Sequence, residues 1–397
     1  MIELKKYEDS YWEEFVDFID RQWGPNHPIT QKNLFDWQFN GFGNDDCNIK
    51  SYTLFNKGEM IGFRGVIPGI YQIPRQNELS FSKGGSFSMW YVDEKYRGQK
   101  LGLKLHLAVQ EMLDVIITGG STFDTSVPFY LREGFKMLDS MHRYILPLNI
   151  EGYSQLLCEY IDIDTIKYQF NIPEFCSVEY PVQEPNCFDC EKLWTKMTAA
   201  NNIFSVHRSQ DFLKWRYIDN VGFKYLFFGD PNTVGFIIAR IENVESDLET
   251  HRGLKVFRII EIVPKHDIVW KGKTEKDMRA FFINVLGYAK SLGCVAVDFF
   301  HSSNMFNELL MSCGFRKQKI IEMDKNKFLS HDLKELKLAA IFAPFRKYYE
   351  PLNVLYRIYD KKSKRLLTIP FDNTCIVKSD GDMDRPNIIN QKAKLNE

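Results

Sequence analysis

The residues best placed to do chemistry lie between Trp90 and Gly102. Trp90-Tyr91-Val92 has the composition of a strand end. Asp93-Glu94-Lys95-Tyr96 then leads into Arg97-Gly98-Gln99-Lys100-Leu101-Gly102, where a helix opens. The first turn of a helix carries backbone N–H groups without intrahelical acceptors, and the aligned peptide dipoles leave that end positive. A pyrophosphate is a natural ligand for such a turn. Gly98 and Gly102 permit close backbone approach, and Arg97 and Lys100 add charge. The plainer alternative is an ordinary capped helix after a surface turn. A second stretch, Val127-Pro128-Phe129-Tyr130-Leu131-Arg132-Glu133-Gly134-Phe135, puts a phenol four residues ahead of a Gly-Phe pair. Its plainer role is core packing.

Two further clusters invite a metal and do not complete one. Cys187 and Cys190 form a C-x-x-C, but no second pair or nearby Cys/His set closes a tetrahedral site. Asp380-Gly381-Asp382-Met383-Asp384 resembles the start of a calcium loop, yet position six is Arg385 and position twelve Gln391, which argues against calcium. That acidic segment reads either as a solvated turn or as carboxylates that return to a cleft. The run Lys361-Lys362-Ser363-Lys364-Arg365 reads as a hairpin surface. No metal is expected.

Stepping outward, Ile2–Lys6 alternates like an edge strand, and Ser10 with Glu13 reads as a capping box opening a helix to about Trp23. Residues 59–73 and 85–92 read as strands, 98–114 as a helix, 115–118 as a short buried strand and 127–133 as a helix closed by Gly134. A second set follows: strand 257–263, helix 275–292, strand 295–300, helix 304–312. The two sets share words. Leu34-Phe35-Asp36-Trp37-Gln38-Phe39 precedes Gly62-Phe63, and Phe212-Leu213-Lys214-Trp215-Arg216-Tyr217 precedes Gly235-Phe236. Trp to first Gly-Phe spans 25 and 20 residues, and first to second Gly-Phe spans 72 and 79. The order and spacing predict two copies of one α/β unit.

Composition bounds the rest. The chain has 397 residues and a formal net charge of −1, with 44% apolar residues. At roughly 150 residues per domain this is two or three domains, and not a disordered chain. Near neutrality argues against a nucleic-acid partner. The first residues lack an apolar export segment, and Leu338–Phe345 is far short of the ~18 residues that span a bilayer. Eight scattered cysteines then read as reduced thiols, which places the protein in the cytoplasm. The 32 Phe and 19 Tyr predict an aromatic core, with a ring-lined pocket as the second use.

Together the Arg97–Gly102 turn and the Tyr130-x-x-x-Gly134-Phe135 helix resemble the GCN5-related N-acetyltransferase superfamily. The resemblance implies an α/β fold of two tandem mixed-sheet domains plus a C-terminal extension, divided as 1–150, 151–330 and 331–397. The first would bind acetyl-CoA, with Trp90, Tyr91 and Val92 along the pantetheine and Arg97, Gly98, Gln99, Lys100, Leu101 and Gly102 around the pyrophosphate. Lys100 stands where the superfamily usually has glycine. Tyr130 falls on the position of the acid that protonates the departing thiolate. The second copy lacks the turn: Pro264 to Lys273 follows its strand, and Leu310 stands in place of Tyr130. It is read as a degenerate half that shapes the acceptor site. The chain is also similar to bacterial tandem acetyltransferases that pair a Trp-Arg-Tyr helix, here Trp215-Arg216-Tyr217, with the Asp380–Pro386 motif.

The mechanism implied is direct attack of a small-molecule amine, an amino sugar among the candidates, on the thioester. A free amine with pKa near 10 is mostly protonated at pH 7, so a base or water relay is needed. His27 and Asp36 lie in the segment that covers the acceptor side, and Asp382 is a third contact candidate; none is singled out as the base. Strand amides near Met89–Tyr91 would polarise the thioester oxygen. Two alternatives stay open: a longer-chain acyl or aminoacyl transferase, and a non-catalytic acyl-CoA-binding scaffold.

Overall fold

A computed structural model of the chain describes residues 2–42, 49–75, 78–138, 141–156, 163–175, 182–244, 249–265, 273–317 and 352–384. Its strands are β1 (Ile2–Lys6), β2 (Tyr52–Asn56), β3 (Glu59–Arg75), β4 (Glu78–Val92), β5 (Val115–Gly119), β6 (Lys136–Leu138), β7 (His142–Pro147), β8 (Ser205–Val206), β9 (Leu226–Phe228), β10 (Gly235–Asn243), β11 (Lys255–Pro264), β12 (Cys294–His301), β13 (Arg316–Lys317), β14 (Val354–Asp360) and β15 (Arg365–Leu367). The helices are α1 (Trp12–Trp23), α2 (Lys32–Asn40), α3 (Leu101–Gln110), α4 (Ser126–Arg132), α5 (Ile150–Leu156), α6 (Ile163–Gln169), α7 (Cys187–Ala200), α8 (Gln210–Leu213), α9 (Lys273–Ser291) and α10 (Asn307–Ser312).

Two mixed sheets result. The first runs β1-β2-β3-β4-β5-β14-β15, with β6 also on β14 and β8 on β3; the second runs β13-β7-β12-β11-β10-β9. Among the described strands, β4–β5 in the first sheet and β11–β12 in the second pair in parallel. Helices cover the sheets through apolar stripes: α1 buries Phe15, Phe18 and Ile19, and α3 buries Leu101, Leu105 and Val109, both at helical spacing. One apolar cluster runs through both halves, from Phe15, Phe35 and Phe63 to Phe257, Phe282 and Phe315. The aromatic core expected from composition is this cluster.

The repeat is visible in the backbone. Phe135 N–H donates to Tyr130 O at 3.0 Å, and Phe315 N–H donates to Leu310 O at 3.0 Å. Gly134 and Gly314 close their helices at φ 85° and 91°. Glycine is favoured there because a Cβ would crowd the carbonyl. Thus the degenerate copy keeps the turn that positions the tyrosine and replaces the tyrosine with a buried leucine.

The sheets do not follow the division at residues 150 and 330. β7, inside the first expected unit, pairs with β12 and β13 of the second sheet. β14, from the expected extension, inserts beside β5 and β6 of the first. The halves therefore exchange strands, because β7 is reached only after the chain has left β6, and the gap it leaves beside β5 is filled from the far end. Residues 331–351 and 385–397 of the expected extension lie outside the described residues, and so do Arg385, Pro386 and Gln391 of the acidic motif, as does much of the loop after Pro264.

Other expectations change locally. Ser10 lies in a 3₁₀ turn, Asp9–Tyr11, and α1 starts at Trp12 with no side-chain cap, so the Ser10–Glu13 capping box does not form. Ser10 sits inside helical geometry instead of the extended backbone a cap requires. α3 spans 101–110, not 98–114, because Lys100 takes a left-handed backbone. The Trp215 helix is one short turn, α8, followed by a π turn at Lys214–Ile218. The basic run is the exposed turn of the β14–β15 hairpin, as expected.

The acidic segment is not a solvated turn. Residues 375–384 form a strap buried between the halves, with Asp380 and Asp384 at 5% and 1% exposure. Asp380 pairs with Arg208, which also holds Glu261. Asp384 accepts two bonds from Arg240 and one from the Tyr225 hydroxyl. Arg216 donates to the carbonyls of Gly381 and Asp384, and the Tyr217 hydroxyl bonds Ser379. The Trp-Arg-Tyr word and the acidic word thus bind each other. In the second half β11 and β12 pair only as far as Ile259–Phe299. The strap crosses there: Val377 bridges His301, and Ser302 exchanges bonds with Ile376.

Candidate active site

In the first half the same divergence is open. β4 and β5 pair only between Gly84–Ser86 and Val115–Ile117. Beyond that point β4 carries a bulge: Gly65 pairs with Ser88 and Arg64 with Trp90, leaving Met89 as the extra residue at φ 42°. A bulge bends its strand and re-aims the neighbouring groups, which widens the gap between β4 and β5.

An outer cleft of about 590 Å³ lies over the start of α3. It is lined by Trp90, Tyr91, Val92, Arg97, Gly98, Lys100, Leu101 and Gly102, joined by Phe129 and Arg132. Eight of the nine residues expected to hold the donor are therefore brought together; Gln99 sits in the same exposed turn without lining the cleft. Gly98 (φ 81°) and Lys100 (φ 58°) both take the left-handed region. Lys100 thus adopts the backbone that glycine would supply, at a cost of about 1–2 kcal/mol. The Trp90 indole donates to Gly102 O at 3.1 Å, and Arg97 donates to the Tyr91 hydroxyl at 3.0 Å.

An inner pocket of about 300 Å³ adjoins it, sharing Trp90 and Ser126 with the outer cleft. Tyr130, His27 and Asp382 line it, together with Arg64, Ser88 and the Gly119–Thr122 loop. Asp36 does not. It pairs with Lys32 and Asn40 on α2, whose apolar side buries Phe35, Trp37 and Phe39. His27 caps the 3₁₀ turn that follows it, its Nδ1 accepting from Ile29 N–H.

Arg64 governs the electrostatics. It is buried, with its guanidinium 4.0 Å from the centre of the Phe87 ring and 5.0 Å from that of Trp90. Burial holds its pKa below the usual range. Its Nη2 donates to the Tyr130 hydroxyl at 2.7 Å. A guanidinium has no acceptor, so the Tyr130 proton is left to point elsewhere. Behind the pocket, His106 packs against Trp90, Phe129 and Tyr130 and bonds Gln110. Burial, reinforced by Arg64, pushes it down to about 3, so it is neutral at physiological pH.

Sequence reading missed Arg64, Ser88 and the Gly119–Thr122 loop. Arg64 did leave a signal, as a lone charge in the run Met60-Ile61-Gly62-Phe63-Arg64-Gly65-Val66. Elsewhere, Cys187 is half-buried and Cys190 is buried, its thiol pushed up to about 12 by desolvation. Among the described residues no group of three His, Cys, Asp or Glu side chains could hold a metal. Nor is any described helix long and apolar enough to cross a membrane.

No family model and no curated protein matches the sequence. Solved structures do match in fold. A GCN5-related N-acetyltransferase from Kribbella flavida superposes with a TM-score of 0.52 at 12% identity, over 91% of this chain and 71% of that one. Another from Anabaena variabilis gives 0.50 at 10% identity, over 90% and 73%. N-myristoyltransferase from Saccharomyces cerevisiae, with bound myristoyl-CoA, gives 0.50 at 10% identity, over 98% and 84%. The chain has the fold of the GCN5-related N-acetyltransferases, in a tandem arrangement of two mixed sheets.

Proposed function

We propose that this chain is an acyl-CoA-dependent N-acyltransferase whose working site is in the first half. The finer reading is acetyl transfer from acetyl-CoA to the amine of a small, polar acceptor such as an amino sugar. One observation carries it: the outer cleft at the start of α3 adjoins, at Trp90 and Ser126, an inner pocket where Tyr130 sits beside a buried cation. That is a path for a pyrophosphate, a thioester and a leaving sulfur in sequence.

The free amides at the α3 start, with Arg97, Lys100 and Arg132 nearby, suit the pyrophosphate. The bulge at Met89 interrupts the β3–β4 ladder beside the gap where the pantetheine arm would lie. The inner pocket is small, and Ser88, Thr118, Ser121 and Thr122 put hydroxyls among its aromatic and methionine lining. This favours a short acyl group and a hydroxyl-bearing acceptor over a long chain. Tyr130 would supply the proton to the departing sulfur, a modest demand for a thiolate of pKa ~8.5. A soluble, cytoplasmic enzyme suits this donor.

The test is thiol release from acetyl-CoA across a panel of primary amines that includes amino sugars. Turnover is expected with at least one amine. Tyr130→Phe should lower kcat by about tenfold to a hundredfold with acetyl-CoA affinity unchanged. Absence of acetyl-CoA binding by calorimetry, with Arg97→Ala no different from the parent, would overturn the reading.

A further inference from the structure

The strap delivers three aspartates to one place, and they are used differently. Asp380 and Asp384 are fully buried against Arg208 and Arg240. Asp382, between them, is only partly buried and lines the same inner pocket as Tyr130. Its Oδ2 accepts from the Ser88 hydroxyl at 2.7 Å, one residue before the β4 bulge. Its neighbours fix its place. A Cβ on Gly119 would lie 2.5 Å from Met383, and one on Gly381 would lie 2.4 Å from the Ser86 hydroxyl, so strap and strands meet with no room for side chains.

We propose that Asp382 is the base of this site, taking the proton from the acceptor nitrogen as the C–N bond forms. The proposal rests on the acyltransferase reading above. The acceptor's lone pair attacks the thioester carbon and the carbonyl electrons move to oxygen. The adduct nitrogen, now cationic, gives one proton to Asp382. The carbonyl re-forms, the C–S bond breaks with its electron pair on sulfur, and the sulfur takes the Tyr130 proton. Asp382 then releases its proton to solvent and Tyr130 regains one. The sum is amine plus thioester to amide plus thiol.

The charges around Asp382 suit this role. Arg64, on β3, interacts with both Asp382 and Tyr130, so one buried cation faces the two groups whose charges change in the step. From the segment after α1, His27 lines the same pocket, with its Nδ1 already engaged as a cap. Behind the strap, Arg216 is held by the Gly381 and Asp384 carbonyls, and Tyr225 by Asp384. A base on the strap also explains why the degenerate half is retained. Arg208, Arg216 and Arg240 of that half anchor the segment that places Asp382 in the other.

The experiment measures acetyl transfer to glucosamine and to the best amine of the panel, for the parent, Asp382→Asn, Asp382→Ala and Ser88→Ala. Asp382→Asn should lower kcat by about a hundred- to ten-thousand-fold with acetyl-CoA affinity and melting temperature unchanged. The acid limb of its kcat/KM profile should flatten. Formate, a carboxylate small enough for the space left by Asp382→Ala, should restore part of that variant's rate. Ser88→Ala should give a smaller loss. An active parent with Asp382→Asn within fivefold of it and an unaltered pH profile overturns the base and leaves the transferase reading intact. A parent that binds no acetyl-CoA and releases no thiol with any amine overturns both.

Discussion

Trp37 and Trp215 bond each other reciprocally: Trp37 Nε1–H donates to Trp215 O at 2.8 Å, and Trp215 Nε1–H donates to Trp37 O at 2.7 Å. Their rings stack 5.2 Å apart at 22°. These are the two tryptophans of the sequence repeat. Each copy presents the same residue in the same way, so the halves are joined about a local twofold relation like an isologous dimer interface within one chain. Removing one indole donor leaves a buried carbonyl unpaired, which costs about 1–3 kcal/mol. Trp37→Phe and Trp215→Phe should each lower the melting temperature by several degrees. A double-mutant cycle should show coupling, because the two bonds share one geometry. Additive losses would mean that the symmetry is incidental.

A second expectation concerns Lys100. Its left-handed backbone is one that glycine adopts without strain. Lys100→Gly should raise stability by about 0.5–1 kcal/mol, while Lys100→Ala should not. Both lose the ammonium beside the outer cleft. Acetyl-CoA should bind each about two- to fivefold more weakly at low salt, as expected for one exposed charge. Calorimetry in two salt concentrations checks this; equal affinity in all three proteins would remove Lys100 from the donor site.

The third concerns Lys378, buried in the strap near Arg258, Asp384 and Asp298. Burial, with help from Arg258, pushes its ammonium down to about 7. In the unfolded chain it titrates near 10.4. Between those values the unfolded chain holds a proton that the folded chain has released, so this residue makes stability rise with pH across that window. Lys378→Met lacks the proton and the slope. Its melting temperature relative to the parent should be most favourable at pH 7 or below and should lose that advantage by pH 10. A pH-independent difference would mean that Lys378 stays charged in the fold.

The fourth concerns Arg208, which holds two carboxylates, Glu261 at 2.7 Å and Asp380 at 2.5 Å. Burial and the neighbouring Glu261 raise Asp380 to about 6 against the pull of Arg208. Arg208→Met strands two buried acids, a loss of about 3–5 kcal/mol. Asp380→Asn is milder, and it should lower the transferase rate although Asp380 does not line the pocket, because it loosens the strap that carries Asp382. Full activity in Asp380→Asn would separate the strap from the chemistry.

Local order was legible in the sequence because it is written in short periodic words. Ile2–Lys6, the Val115 strand and the helix ended by Gly134 lie where alternation, apolar runs and a glycine stop placed them. The outer cleft was legible for the same reason, as most of its lining falls in one stretch, Trp90 to Gly102. The inner pocket was legible only in part: Tyr130, His27 and Asp382 are named from the sequence, whereas Arg64 and Ser88, on β3 and β4, join them only in the tertiary fold. The strand exchange was equally hidden: the sequence assigns no strand at β7 or β14, and strand pairing between distant segments leaves no local periodic signal. The acidic segment reads equally as a solvated turn or as carboxylates returning to a cleft until its partners, three arginines far back in the chain, are known.

The place of β14 has a consequence for how the protein is made. The edge of β5, with Val115, Ile116 and Ile117, is covered by a strand that starts at Val354. On a ribosome adding ~5–20 residues per second, that edge is made tens of seconds before its partner. During that interval the nascent first sheet exposes unpaired amides along an apolar strand, the kind of surface that recruits other chains. A chaperone that holds residues 115–119 until the last strands emerge would decide how much of this protein reaches its native state.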